Sequence, residues 1–125
     1  MAKLNSFEEI IAWQKARELN AEIYKITINN TLFSKDFGLR DQMRRASVSI
    51  SSNIAEGFER ETTKEFIRFL YIAKASAGEF RSQLYLALDL GYISDEEFSS
   101  LSLKINDISK LLSGFIKYLI STLNI

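Results

Sequence analysis

The sequence predicts an all-α fold: one domain over residues 1–125, built as an antiparallel up-down-up-down four-helix bundle. Three observations predict it. The chain contains no proline, so nothing in it forbids long uninterrupted helices. Ser/Thr-x-x-Glu capping boxes stand at Ser6, Thr62 and Ser94, each just ahead of an apolar run. Apolar residues then recur at spacings of three and four through four long stretches.

The first helix is expected from about Phe7 to Asn29, with Ala12, Ala16, Leu19, Ile23 and Ile26 as its stripe and Asn29-Asn30-Thr31 as its stop. The second should run from Phe37 to Glu59 on Leu39, Met43, Ala46, Ile50, Ile54 and Gly57. Within it, Ala46 to Ser52 alternates as a half-buried strand would. A lone strand would have no partner, so helix is the better reading. The third should run from Thr63 to Leu90, closed by Gly91 as a C-terminal cap. The fourth, Asp95 to Thr122, carries a heptad seam of Phe98, Leu101, Ile105, Ile108, Leu112, Phe115 and Leu119. The connections are short, about seven residues at most, which favours antiparallel neighbours.

Composition narrows function. Lys and Arg balance Asp and Glu at 16 each, so no global field draws the chain to nucleic acid or anionic lipid. Any such binding needs a local patch. With no Cys and no His, thiol chemistry, the usual zinc sites and imidazole bases are excluded. No nucleophile and base pair is apparent, so the expectation is a protein that is not an enzyme and takes no cofactor and no metal. No small-molecule substrate is identified. The N-terminal segment lacks the apolar core of a signal peptide, and no run reaches the roughly 18 apolar residues of a membrane span. The expected location is cytoplasmic.

Three constellations remain. Gln42, Arg45, Ser49, Asn53, Glu56 and Arg60 share one helical row at the core's edge. They read as a polar network, with Gln42 and Asn53 bonding across to neighbouring helices and Glu56 pairing with Arg60, or as a ligand-contact face. Arg40, Arg44 and Arg45, with Lys35 nearby, make the densest basic cluster. Cations in a helix's first turns are slightly disfavoured by its dipole, which suggests phosphate contacts with RNA or DNA, the alternative being ion pairs. Trp13, Arg17, Asn20 and Tyr24 line one side of the first helix; Ile67, Tyr71, Lys74, Gly78, Arg81 and Tyr85 line one side of the third. Trp13, Arg17, Tyr24, Ile67, Tyr71 and Tyr85 are therefore candidates for an oligomer interface.

The combination of Gly38-Leu39, Gln42, Arg44-Arg45-Ala46, Ser49-Ile50, Asn53-Ile54-Ala55-Glu56-Gly57 and Arg60 resembles the four-helix-bundle proteins encoded in intervening sequences of bacterial 23S rRNA genes. Ala12-Trp13-Gln14-Lys15-Ala16, Lys64-Glu65-Phe66, Ile72 to Ser76 and Leu90-Gly91-Tyr92-Ile93 extend the likeness over nearly the whole chain. That family is similar to the accessory proteins of diversity-generating retroelements. The resemblance implies an antiparallel four-helix bundle, a pentameric ring and nucleic-acid binding. The expectation for this chain is a scaffold that binds structured RNA through the basic residues of the second helix. A protein-interaction scaffold without nucleic acid is the alternative.

Overall fold

The structure is a computed structural model, and it describes residues 3–123. A single 3-10 turn, Phe7–Glu9, leads into α1 (Ile11–Asn29), followed by α2 (Thr31–Lys35), α3 (Phe37–Phe58), α4 (Thr63–Asp89) and α5 (Asp95–Leu123). Among the described residues there is no strand. The long helices form a bundle in which α3 packs between α1 and α4, and α5 packs on α4 and α1.

Ser94 forms a full capping box, and Thr62 forms the side-chain half of one. Glu97 N–H donates to Ser94 Oγ at 3.1 Å, and Ser94 N–H donates back to Glu97 Oε1 at 2.9 Å. Thr62 Oγ1 accepts from Glu65 N–H at 3.1 Å. Ser6 differs: its side chain makes no capping bond, and Glu9 instead accepts from the Asn5 amide at 2.7 Å. Ile10 is extended and turned into the core, which breaks the chain between the 3-10 turn and α1. The first helix therefore starts at Ile11, four residues later than the sequence suggests.

The segment after α1, read as a loop, instead folds into α2. Asn30 Oδ1 caps it by accepting from Phe33 N–H at 2.9 Å, and Asp36 Oδ1 caps α3 by accepting from Leu39 N–H at 3.1 Å. Phe33 is fully buried and stacks on Tyr92, ring centres 5.1 Å apart. Tyr92 sits just past Gly91, whose φ of +72° ends α4 in a left-handed turn. The amides of Gly91 and Tyr92 donate to the carbonyls of Leu88 and Ala87, both at 2.9 Å, which closes that helix end. The Tyr92 hydroxyl donates to Asp36 Oδ2 at 2.9 Å, and Asn30 Nδ2 donates to the Tyr92 carbonyl at 3.0 Å. One end of the bundle is thus a plate in which α2 and the α4–α5 turn hold each other.

The core is the expected stripes meeting: Ala16, Leu19 and Ile23; Met43, Ala46, Ile50 and Ile54; Leu70, Ala73, Ala77, Phe80 and Leu84; Leu101, Ile105, Ile108 and Leu112. Each large side chain so buried contributes about 1.5–3 kcal/mol. The α5 seam drifts at its ends. Phe98, Phe115 and Leu119 are only partly buried, and Ile116 turns inward in place of Phe115. A straight helix rotates about 20° per heptad against a strict seven-residue repeat, so a seam in register from Ile105 to Leu112 slips off it toward both helix ends.

Helix α3 runs unbroken through Ala46 to Ser52. The alternation there has a helical cause. Ser47 and Ser51, four apart, face α1; Ser49 faces α4; Ile50 faces the core. At its far end Gly57 lets α4 come close, since a Cβ there would lie 2.6 Å from Phe69 Cβ.

Candidate functional site

The basic cluster at the start of α3 is drawn into the protein's own contacts. Arg40 lies 4.7 Å over the Phe37 ring, pairs with Asp41 at 2.8 Å and donates through Nη1 to the Ser34 carbonyl at 2.9 Å. That carbonyl belongs to the last turn of α2, whose negative end offsets the unfavourable start of α3. Arg44 reaches back to α1, donating from Nε to Thr27 Oγ1 at 2.9 Å with its guanidinium 4.5 Å over Tyr24. Arg45 donates twice to Gln42 Oε1 and pairs with Glu79 of α4. Lys35 is exposed and has no ion pair among the described residues. Tyr24, Asp41, Arg44, Arg45 and Val48 together line an open depression of about 350 Å³.

The row from Gln42 to Arg60 is polar and connected, but not by the bonds its spacing suggests. Gln42 bonds within α3, to Arg45. Asn53 is half-buried and also bonds within α3, donating from Nδ2 to the Ser49 carbonyl at 2.8 Å and to Ser49 Oγ at 2.9 Å. The links that do cross to α4 are Ser49 with Ser76, at 2.9 Å, and Arg45 with Glu79. Glu56 and Arg60 pair at 3.2 Å as their spacing predicts, and Arg60 lies 4.7 Å over Phe69.

The more deeply buried polar network lies on the other seam and was not picked out from sequence. Asn20 of α1 uses both ends of its amide against α3. Ser47 Oγ donates to Asn20 Oδ1 at 2.6 Å, and Asn20 Nδ2 donates to Ser51 Oγ at 2.9 Å. Ser47 and Ser51 are both buried. The signal was available: Ser47 and Ser51, four apart, each follow a residue of the apolar stripe, and hydroxyls buried there need a polar partner on the facing helix.

The interface candidates divide in the same way. Ile67 is buried in the core cluster and presents no outward face. Trp13 is half-buried edge-on against Phe7, 5.1 Å away, with Arg17 5.8 Å over its ring. Tyr24 lies beneath Arg44. The α1 row is only partly covered by α3 and the N-terminal turn, since Tyr24 is 39% exposed and Arg17 is exposed. Tyr71 and Tyr85 do stand exposed on α4, Tyr85 with one edge against Phe98. Three other exposed apolar residues, Ile28, Leu32 and Phe37, cluster in sequence around α2. Leu32 was missed because that stretch reads as a loop; Ile28 and Phe37 fall at the ends of the expected helices, off their apolar stripes. Among the described residues no three carboxylates converge as a metal site would need, and no helix is long and apolar enough to cross a membrane.

Residues 8–114, from the 3-10 turn to late α5, match the model of the 23S rRNA-intervening sequence protein family. The protein belongs to that family. A solved relative agrees: the crystal structure of a protein of unknown function from the S23 ribosomal protein family of Bacteroides thetaiotaomicron. It is 31% identical, superposes with a TM-score of 0.78, and the match covers 86% of this chain and 96% of that one. No functionally curated protein matches. The matched span takes in the whole of α3, the helix whose polar side chains hold α1 and α4.

Proposed function

We propose that the protein is a non-enzymatic cytoplasmic scaffold that works as a closed homo-oligomer, a ring of five antiparallel up-down-up-down four-helix bundles. The antiparallel order is supported by which ends touch. Phe66 at the start of α4 meets Phe58 at the end of α3 and Phe115 late in α5, while Tyr85 late in α4 meets Phe98 early in α5. Lys15 with Asp107, and Glu22 with Lys104, set α1 against α5 in the same sense.

The observation that carries the assembly is apolar exposure in several places on a bundle whose core is already closed, two of them on different helices. Phe37 is 63% exposed beside Ile28 and Leu32; Tyr85 is 57% exposed on α4 with Tyr71 and Leu86. A ring of more than two copies joins unlike surfaces head to tail, so each copy needs two different patches. The non-catalytic reading is supported by the serines of α3. Ser47, Ser49 and Ser51 are engaged by Asn20, Ser76 and Asn53, none of them a base. Light scattering on the unmutated protein should give a mass near five times 14.3 kDa. Tyr71→Glu with Leu86→Glu should lower it toward one protomer while helical circular dichroism survives. A monomer in the unmutated protein would end this reading.

A second reading, that the ring also binds structured RNA or single-stranded DNA, is favoured by Lys35 and Arg44. These are the two cations of the cluster without a carboxylate partner among the described residues. Repeated around a ring, they would form a stronger local field than one protomer offers. Affinity for labelled RNA should then fall steeply between about 50 and 200 mM salt and weaken in Lys35→Gln/Arg44→Gln. No binding at the lower salt leaves the protein-interaction scaffold alone.

A further inference from the structure

A depression between α4 and α5 lies beside the exposed tyrosines of α4, and no apolar side chain lines it. Arg81 of α4 and Asn106, Ser109, Lys110 and Ser113 of α5 line an open cavity of about 330 Å³. Neither cation has an ion pair among the described residues. The contrast with the arginines of α3, each tied to named groups on the bundle, is complete.

The surrounding charge has one sign. Between Phe66 and Leu88, α4 carries a single carboxylate, Glu79, and Arg45 of α3 already holds it. Beyond Glu97, α5 carries only Asp107, which pairs with Lys15 of α1. Both acids are thus committed to other seams. Gly78, one turn before Arg81, adds no side chain to the wall, and a Cβ there would meet nothing within 4 Å.

The lining suits one kind of guest. Arg81 offers a planar fork of donors, Lys110 a point charge, and Asn106, Ser109 and Ser113 three neutral donors, with no carboxylate among them. This is more donor capacity than the two oxygens of a carboxylate can use. It matches a phosphoryl group, which brings up to two charges and three strong acceptor oxygens and which Arg binds through paired N–H groups. We infer that the α4–α5 depression is a phosphate-binding site, taking either a free phosphoryl anion or one carried in a phosphodiester strand. It shares no residue with the cations of α3, and it stands whether or not they touch nucleic acid.

The test is calorimetric titration of the assembled protein with inorganic pyrophosphate at low salt. The wild type should bind, and Arg81→Gln/Lys110→Gln should bind at least about ten-fold more weakly, a difference of about 1.4 kcal/mol. Lys35→Gln/Arg44→Gln should bind as the wild type does, which separates this site from the α3 cluster. Unchanged helical circular dichroism in both variants excludes misfolding. Anisotropy of a labelled single-stranded oligonucleotide then names the source. Displacement by pyrophosphate that is lost in Arg81→Gln/Lys110→Gln assigns a strand; no oligonucleotide binding assigns the free anion; either result upholds the site. No heat with pyrophosphate, or binding that survives Arg81→Gln/Lys110→Gln, overturns it.

Discussion

The seams that α3 makes with α1 and α4 differ in kind from the seam between α4 and α5. On the first two, polar side chains find protein partners: Asn20 with Ser47 and Ser51, Arg44 with Thr27, Ser49 with Ser76, Arg45 with Glu79. On the third, the interior is apolar and the polar residues stand at the rim facing a cavity. The glycines follow the same division. A Cβ on Gly57 would strike Phe69, whereas one on Gly78 would meet nothing within 4 Å. Polar residues at a helix edge therefore mean two things here. Paired across a seam they fix which helices pack together; left at a rim they are available to something outside.

The largest test of that contrast is Gly57→Ala. The added methyl meets the base of the Phe69 side chain and also crowds Phe66, so the helices must separate. A loss of about 1 to 3 kcal/mol in urea unfolding is expected, the usual cost of overpacking. Arg44→Gln comes next. It removes a hydrogen bond to Thr27 and a cation–π contact with Tyr24, and about 1 kcal/mol should go with them. On the open side the sign reverses. Gly78→Ala should gain about 0.5 to 1 kcal/mol, because alanine holds a helix better and nothing obstructs it. Asn53→Leu should cost less than about 1 kcal/mol despite its place in the family motif, since both partners of its amide nitrogen belong to Ser49 on the same helix.

The capped end of the bundle adds a pH dependence. The Tyr92 hydroxyl is held above its ordinary value by its hydrogen bond to Asp36, with burial and the Asp36 charge acting in the same direction. The folded state thus keeps that proton longer than the unfolded chain does. The resulting stability is fully present below the ordinary tyrosine value near 10 and is lost as pH rises through the raised one. Stability measured across that range should fall for the wild type and fall less for Tyr92→Phe.

The long helices were legible because apolar period and capping chemistry are both local. Ser94 with Glu97 needs only three residues of context, and the α5 seam needs only its own sequence. What was illegible depended on a partner. Five residues, Thr31–Lys35, are too few to show a period, and α2 is held by Phe33 stacking on Tyr92 from the far end of α4. Ser6 reads as a cap, but Ile10 turning into the core ends that first turn early. Spacing placed Asn20 beside the core stripe correctly without revealing that α3 faces it with Ser47 and Ser51. The arginines of α3 were legible as a cluster. Their partners lie at Thr27, Ser34 and Glu79, on three other helices, and no spacing within α3 could name them.

The measurement that bears most directly on this account is urea unfolding of Asn20→Leu beside Ser109→Ala/Ser113→Ala. Asn20→Leu leaves the buried hydroxyls of Ser47 and Ser51 without their interhelical partner, and should cost about 1 to 3 kcal/mol. The paired serine replacement removes two rim hydroxyls and should stay within about 0.5 kcal/mol of the wild type. Equal losses, or a larger loss from the α5 serines, would contradict the division between paired seams and open rim.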